Sequence, residues 1–151
     1  MGYLKIKKDL LAHCRTSILE RIKHIELAIE ASRQTAGNET KSSSGDKYET
    51  TRAMMHLEIE KLSAQLYEAR EDLRRVDQIT LRDTTTVQPG SLVYTSYAVF
   101  FISLSAGKVS LDGKDYMLIS SLTPVGRALK GKTSGDSVEV NSRSFTILEI
   151  H

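Results

Sequence analysis

The sequence predicts an α+β fold: an N-terminal antiparallel coiled-coil helical hairpin followed by a small β-rich domain. Apolar residues recur at helical spacing through the first half of the chain and are interrupted once, by a polar turn at residues 37–49. Beyond residue 80 this spacing ends, and short runs rich in β-branched and aromatic residues follow. We therefore predict two domains, 1–80 and 81–151, with a hinge at residues 80–89.

The first helix is predicted over residues 4–36, where neither Gly nor Pro interrupts the pattern. Its apolar positions are separated by charged residues, so they form one narrow stripe of the kind found in coiled coils. A helix of about 30 residues is about 45 Å long. The stripe consists of Leu4, Leu11, Ile18, Ile22, Ile25 and Ile29.

The second helix has a clearer repeat, with apolar residues three and four positions apart. Between the two helices, Gly37, Asn38, a serine cluster and Gly45 are residues that end helices or form turns. Asp46 is predicted as the N-cap of the second helix, with Glu49 three residues later as in a capping box. The hairpin would therefore present carboxylates at its tip. The repeat comprises Met55, Ile59, Leu62, Leu66, Ala69, Leu73 and Val76.

The second domain is predicted as six short strands and one short helix. Asp112-Gly113 is a strong signal for a hairpin turn, and Pro89-Gly90 marks a turn before the first strand. The helix, Val125 to Lys130, lies between Pro124 and Gly131. The predicted strands are 92–97, 99–104, 108–111, 116–119, 137–140 and 145–150.

Composition excludes several classes of protein. The longest apolar run, Tyr97 to Leu104, is too short to span a bilayer, and the first residues lack the apolar segment of a signal peptide. The single cysteine, Cys14, rules out an internal disulfide framework and suits the cytoplasm. The net charge of +2 is too small for nucleic-acid binding by bulk charge. The first helix has an excess of basic residues, so a weak contact with DNA or with a polymerase is an alternative to an ordinary solvated face.

Residues 126–133 match the phosphate-binding pattern G-x-x-x-x-G-K-[ST] letter by letter. That loop requires a preceding strand and a following helix, so that backbone N–H groups face the phosphate. Here the residues between the glycines have a helical pattern and only eighteen residues follow Thr133. We therefore interpret the match as accidental. The four histidines likewise lack metal-site spacing.

Residues 121–140, followed by the run 145–150, resemble the signature of the Gre transcription elongation factors. That family has a run similar to S-P-I-G-x-A-L-x-G-K-x-x-G-D-x-V-x-V before its last strand. Its coiled-coil tip carries a G-D-x-x-E element, and Gly45 to Glu49 has the same spacing. The resemblance implies a coiled coil followed by an FKBP-like domain, and it accounts for the accidental phosphate-loop match.

The resemblance also implies a function. A Gre-like factor binds bacterial RNA polymerase through its secondary channel and stimulates cleavage of backtracked RNA, with the nascent RNA near the hairpin tip. It is not an enzyme by itself, and we expect a monomer. Asp46 and Glu49 would be the catalytic, metal-binding residues, sharing Mg²⁺ with the polymerase active site. Ser121, Thr123 and Pro124 would bind the polymerase.

The tip departs from the family pattern, in which G-D-L-S-E-N-A-E-Y is usual. Lys47-Tyr48 replaces Leu-Ser, and the preceding loop is longer and rich in serine, so Glu39 is a third candidate acid. These departures support an alternative, a regulator that occupies the channel and inhibits or modulates polymerase without cleavage. A purely capping role for the tip acids, a prolyl isomerase and a structural coiled coil with a β dimerisation domain are further hypotheses. The isomerase needs an aromatic-lined pocket, and the sequence has no Trp and few aromatic residues.

Overall fold

The computed structural model describes residues 2–38 and 45–151, apart from the side chains of Asn38 and of residues 45–47. It divides into two compact units, Met1–Ser17 together with Arg75–His151, and Ile18–Arg74. The predicted α+β class is confirmed, because two long helices precede a mixed six-stranded sheet.

The unit Ile18–Arg74 is an antiparallel helical hairpin. Its helices belong to α1 (Tyr3–Asn38) and α2 (Gly45–Asp77). Ion pairs join the helices in opposite chain directions, Arg21 to Asp72 at 2.6 Å and Arg70 to Glu26 at 3.7 Å. These exposed pairs contribute little stability, so the apolar seam between the helices holds the hairpin together. The seam is centred on Ile25, Ile29, Leu62 and Ala69, with Ile22, Ala28, Ile59 and Leu66 packed against them.

The first turns of α1 belong to the other unit, and there the predicted stripe is wrong. Leu4 is 47% exposed, whereas Lys7, Leu10 and Cys14 are buried. The Lys7 Nζ donates a hydrogen bond to the carbonyl oxygen of Arg82 at 2.8 Å. The Cys14 Sγ lies 3.1 Å from the hydroxyl oxygen of Ser103. The buried face of this segment is therefore set by contacts with the second half of the chain.

The six strands form one sheet in the order β3-β4-β2-β1-β6-β5. β2 and β4 are parallel, and the other neighbouring strands are antiparallel. All six lie where the sequence predicts them, with bounds that differ by at most a few residues. They are β1 (Leu92–Thr95), β2 (Val99–Ser103), β3 (Gly107–Leu111), β4 (Lys114–Ser120), β5 (Ser137–Val140) and β6 (Arg143–Ile150).

The short helix α3 (Pro124–Leu129) joins β4 to β5. Asp112 and Gly113 turn the chain between β3 and β4 with φ values of 51° and 79°, as the sequence predicts. Within the predicted hinge, the N–H of Val87 donates to the carbonyl oxygen of Lys132 and Val87 is itself buried. The core of this domain consists of Val87, Val93, Phe100, Ile102, Leu129, Val138, Phe145 and Ile147.

Candidate functional site

The predicted catalytic residues lie at the start of α2. The helix begins at Gly45, so Asp46 falls in its first turn and not, as predicted, at the N-cap. Glu49 lies one turn further on and is exposed. A three-residue separation places the two on the same side of the helix, where its N-terminus stabilises negative charge. The side chain of Asp46 and the whole of Glu39 lie outside the described residues, so their catalytic and metal-binding roles remain predictions.

Arg52, three residues after Glu49 on the same helix, contacts two side chains of α2. The Arg52 Nη1 donates to the Tyr48 hydroxyl at 2.9 Å, and the guanidinium carbon lies 6.0 Å from the centre of that ring. The Arg52 Nε also donates to His56 Nε2 at 3.4 Å. The sequence spacing contains the signal for these contacts, because Tyr48, Arg52 and His56 are four residues apart. Arg52 gives the tip a positively charged group three residues from Glu49.

The three predicted polymerase-binding residues lie together in the connection between β4 and α3. Thr123 caps the helix, because its Oγ1 accepts from the N–H of Gly126 at 3.1 Å and donates to the carbonyl oxygen of Ser120 at 2.9 Å. Pro124 is exposed at the first helical position, where its missing N–H costs nothing. Ser121 is half-buried.

Leu122 lies between Ser121 and Thr123 and is 66% exposed. Nothing in the sequence pattern distinguished it from its neighbours. Because the Thr123 hydroxyl is occupied by the cap, Leu122 and Pro124 are the side chains most available to a partner in this connection. The segment is therefore both a helix start and an exposed apolar surface.

The rest of the signature forms a compact turn and no phosphate loop. α3 ends at Leu129, and Gly131 follows with a φ of 76°. The Thr133 N–H and hydroxyl both donate to Asp136 Oδ2, at 2.8 Å and 3.2 Å. These hydrogen bonds hold the pKa of Asp136 below its usual value. The threonine that would bind magnesium in a phosphate loop is thus engaged in a local turn, so the accidental match is confirmed.

The C-terminal domain also contains a cleft of about 690 Å³ that the sequence did not predict. Three aromatic side chains, Tyr97, Phe100 and Phe145, line it. The small number of aromatic residues in the sequence had argued against an aromatic-lined pocket. Phe100 and Phe145 are buried, whereas Tyr97 is 56% exposed. The other lining residues are Ala98, Val99, Lys108, Asp115, Met117, Ile119, Val125, Val140, Asn141 and Arg143.

Residues 2–38 and 45–151 contain no group of three or more His, Cys, Asp or Glu side chains arranged to hold a metal ion. No helix in the same ranges has both the length and the apolar character that crossing a bilayer requires.

Comparison with known proteins gives a distant structural similarity. No protein-family model matches the chain, and no curated protein matches it significantly. The crystal structure of GreA factor homolog 1 (Gfh1) of Thermus thermophilus is 19% identical with a TM-score of 0.38, and the match covers 91% of this chain and 94% of that one. A second structure of the transcription factor Gfh1 gives the same identity and TM-score, with 91% and 93% covered. Thermus aquaticus Gfh1 is 14% identical, with a TM-score of 0.34 and with 91% and 94% covered.

Proposed function

We propose that this protein binds bacterial RNA polymerase through the secondary channel and stimulates cleavage of backtracked RNA. The observation that carries the proposal is the fit between the Gre-like signature and its folded form. Thr123 caps α3, Gly131 ends it with a positive φ and Asp136 closes the following turn. These three positions of the motif thus have structural tasks, which supports the resemblance beyond a match of letters.

The second support is the helical hairpin that precedes this domain. Within the hairpin unit, α1 runs from Ile18 to Asn38, about 30 Å, and α2 runs from Gly45 to Arg74, about 45 Å. Such a hairpin can carry groups into a channel too narrow for a globular domain. Glu49 is exposed near its end, as a delivered carboxylate must be.

The chemistry at the tip would depend on two carboxylates. Asp46 and Glu49 offer the hard oxygen ligands that Mg²⁺ prefers. When bound between them and the polymerase's own ligands, the magnesium ion would activate water for phosphodiester hydrolysis. The factor would supply no other catalytic group, so we propose that it has no activity alone. A monomer acting in the cytoplasm, with nascent RNA at the tip and at most a weak DNA contact, completes the proposal.

The alternative is a regulator that occupies the channel without promoting cleavage, and one contact favours it. Arg52 is held by Tyr48 within a turn of Glu49. A cation so close along the helix would disfavour metal binding by Glu49, since the two positive charges repel each other. Tyr48 is also one of the residues that departs from the family tip.

Backtracked elongation complexes distinguish the two functions. With wild-type protein we expect shortening of the RNA, which Asp46→Asn or Glu49→Gln should abolish while polymerase binding changes little. Glu60→Gln is the matched control, because Glu60 is an exposed carboxylate further along α2. If the wild type slows elongation without shortening RNA, the regulator is correct. If both tip variants stimulate cleavage fully, the tip acids are structural and Glu39 is the next candidate.

The docking assignment needs a separate measurement. We expect Pro124→Ala and Ser121→Ala to weaken competition with labelled wild-type protein for polymerase while leaving the free energy of unfolding nearly unchanged. Thr123→Ala should lose about 1 kcal/mol of stability with its cap, whereas Thr123→Ser should retain it. If the Ser121 and Pro124 variants compete with labelled wild-type protein for polymerase as well as the unlabelled wild type does, this segment is not part of the interface.

A further inference from the structure

We infer that the cleft in the C-terminal domain binds a small amphipathic carboxylate, an apolar ring or chain that ends in a carboxylic acid group. The cleft lies on the face of the sheet that α3 partly covers, since Val125 of α3 and the side chains of Met117 and Ile119 of β4 line it. Its volume, about 690 Å³, falls within the range of small-molecule sites. The inference concerns the isolated protein and does not depend on polymerase binding.

The floor of the cleft is apolar and only partly covered. Phe100 and Phe145 are buried with their ring centres 5.8 Å apart, and Tyr97 lies 6.1 Å from Phe145. Around these rings, Met117, Ile119 and Val125 are only half-buried. An apolar group placed in the cleft would remove their remaining surface from water, at about 25 cal/mol for each Å² buried.

One charged group at the cleft has no opposite charge. The Arg143 guanidinium carbon lies 4.1 Å from the centre of the Tyr97 ring, and Arg143 forms no ion pair with any residue that the structure describes. Its stacking on the ring restricts the side chain before a ligand arrives, so less entropy is lost when a carboxylate binds.

The other two charged lining residues neutralise each other. The Lys108 Nζ lies 3.7 Å from Asp115 Oδ2, and Ser110 also donates to that carboxylate. The remaining charge of the lining is therefore the single positive charge of Arg143. An apolar ligand with one carboxylate matches the cleft in both shape and charge.

The turn that precedes Arg143 has a strained backbone. Asn141 and Ser142, between β5 and β6, have φ values of 52° and 65°, although neither is glycine. Here the turn brings Asn141, whose amide can donate hydrogen bonds, to the cleft beside Arg143.

The test uses the full chain and a matched pair of probes, 4-phenylbutyrate and 4-phenylbutyramide, followed by NMR titration. The expected result is a set of chemical-shift changes at Met117, Ile119 and Val125, with the carboxylate binding about fivefold more tightly than the amide. A partly exposed arginine–carboxylate pair gives a factor of about this size. Arg143→Gln should remove the preference for the carboxylate. Arg127→Gln, an exposed arginine on α3 outside the cleft lining, should keep it.

Three results would overturn the inference. The first is an absence of shift changes in the cleft up to the solubility limit of both probes. The second is equal affinity of wild-type protein for the carboxylate and the amide. The third is an unchanged preference in the Arg143→Gln protein, whose folding the same spectra report. Because the substituted side chain is at the surface, we expect this variant to fold.

Discussion

A Cβ atom at Gly126 would lie 2.0 Å from the carbonyl oxygen of Ser120. The first turn of α3 therefore packs directly against the backbone at the end of β4. The close contact follows from the cap, because Thr123 is hydrogen-bonded to both Ser120 and Gly126. Neither backbone segment can move away without breaking those hydrogen bonds.

Gly126→Ala is expected to lower the free energy of unfolding by about 3 kcal/mol, since it forces the helix away from the strand. Urea denaturation measures this loss. The control is Gly37→Ala, because a Cβ at Gly37 meets nothing within 4 Å. That change should alter stability by about 1 kcal/mol or less. Equal stability of the two variants would contradict the close contact at Gly126.

The buried Lys7 predicts a pH dependence of stability. Burial lowers its pKa below the ordinary value of 10.5, although the nearby Asp83 acts in the opposite direction. Between the lowered pKa and 10.5, the unfolded chain binds more protons at this site than the folded protein does. The stability of the wild type relative to Lys7→Met should therefore rise as the pH increases towards 10.5.

Urea denaturation of both proteins at a series of pH values measures this difference. Lys8→Met provides the control, because Lys8 is exposed on the same helix turn. The difference in free energy of unfolding between Lys8→Met and the wild type should not change over the same pH range. A level difference for Lys7→Met as well would show that burial does not perturb this lysine.

Ser142→Gly is expected to stabilise the protein. Ser142 has a φ of 65°, a conformation that costs an L-residue about 1–2 kcal/mol and glycine almost nothing. Glycine loses more conformational entropy on folding than serine does, which offsets part of this gain. The free energy of unfolding should therefore rise by about 0.5–1 kcal/mol. Thermal denaturation measures it. Ser144→Gly, at an exposed position within β6, should instead destabilise the sheet, and a loss of stability in both variants would contradict the prediction.

The positions of the helices and strands were predictable because they depend on local patterns. Helical spacing predicted both helices of the hairpin, and its end near residue 80 predicted the change to a sheet. Asp112-Gly113 predicted a hairpin because its turn requires two residues with positive φ. The turn at Asn141 and Ser142 also has two positive φ values. It was not predicted, because serine is an unusual residue at the second position of such a turn.

The sequence by itself determined the order of elements, the seam of the hairpin at Ile25 and Leu62, and the short helix next to Pro124, since each depends on neighbours a few residues away. Only the tertiary structure decided that Lys7 is buried while Leu4 is exposed, because the contact of Lys7 is with Arg82, far along the chain. The same holds for the cleft, where Arg143 meets Tyr97 across the sheet. Periodicity describes the face of one element, whereas contacts between distant segments decide what that face meets.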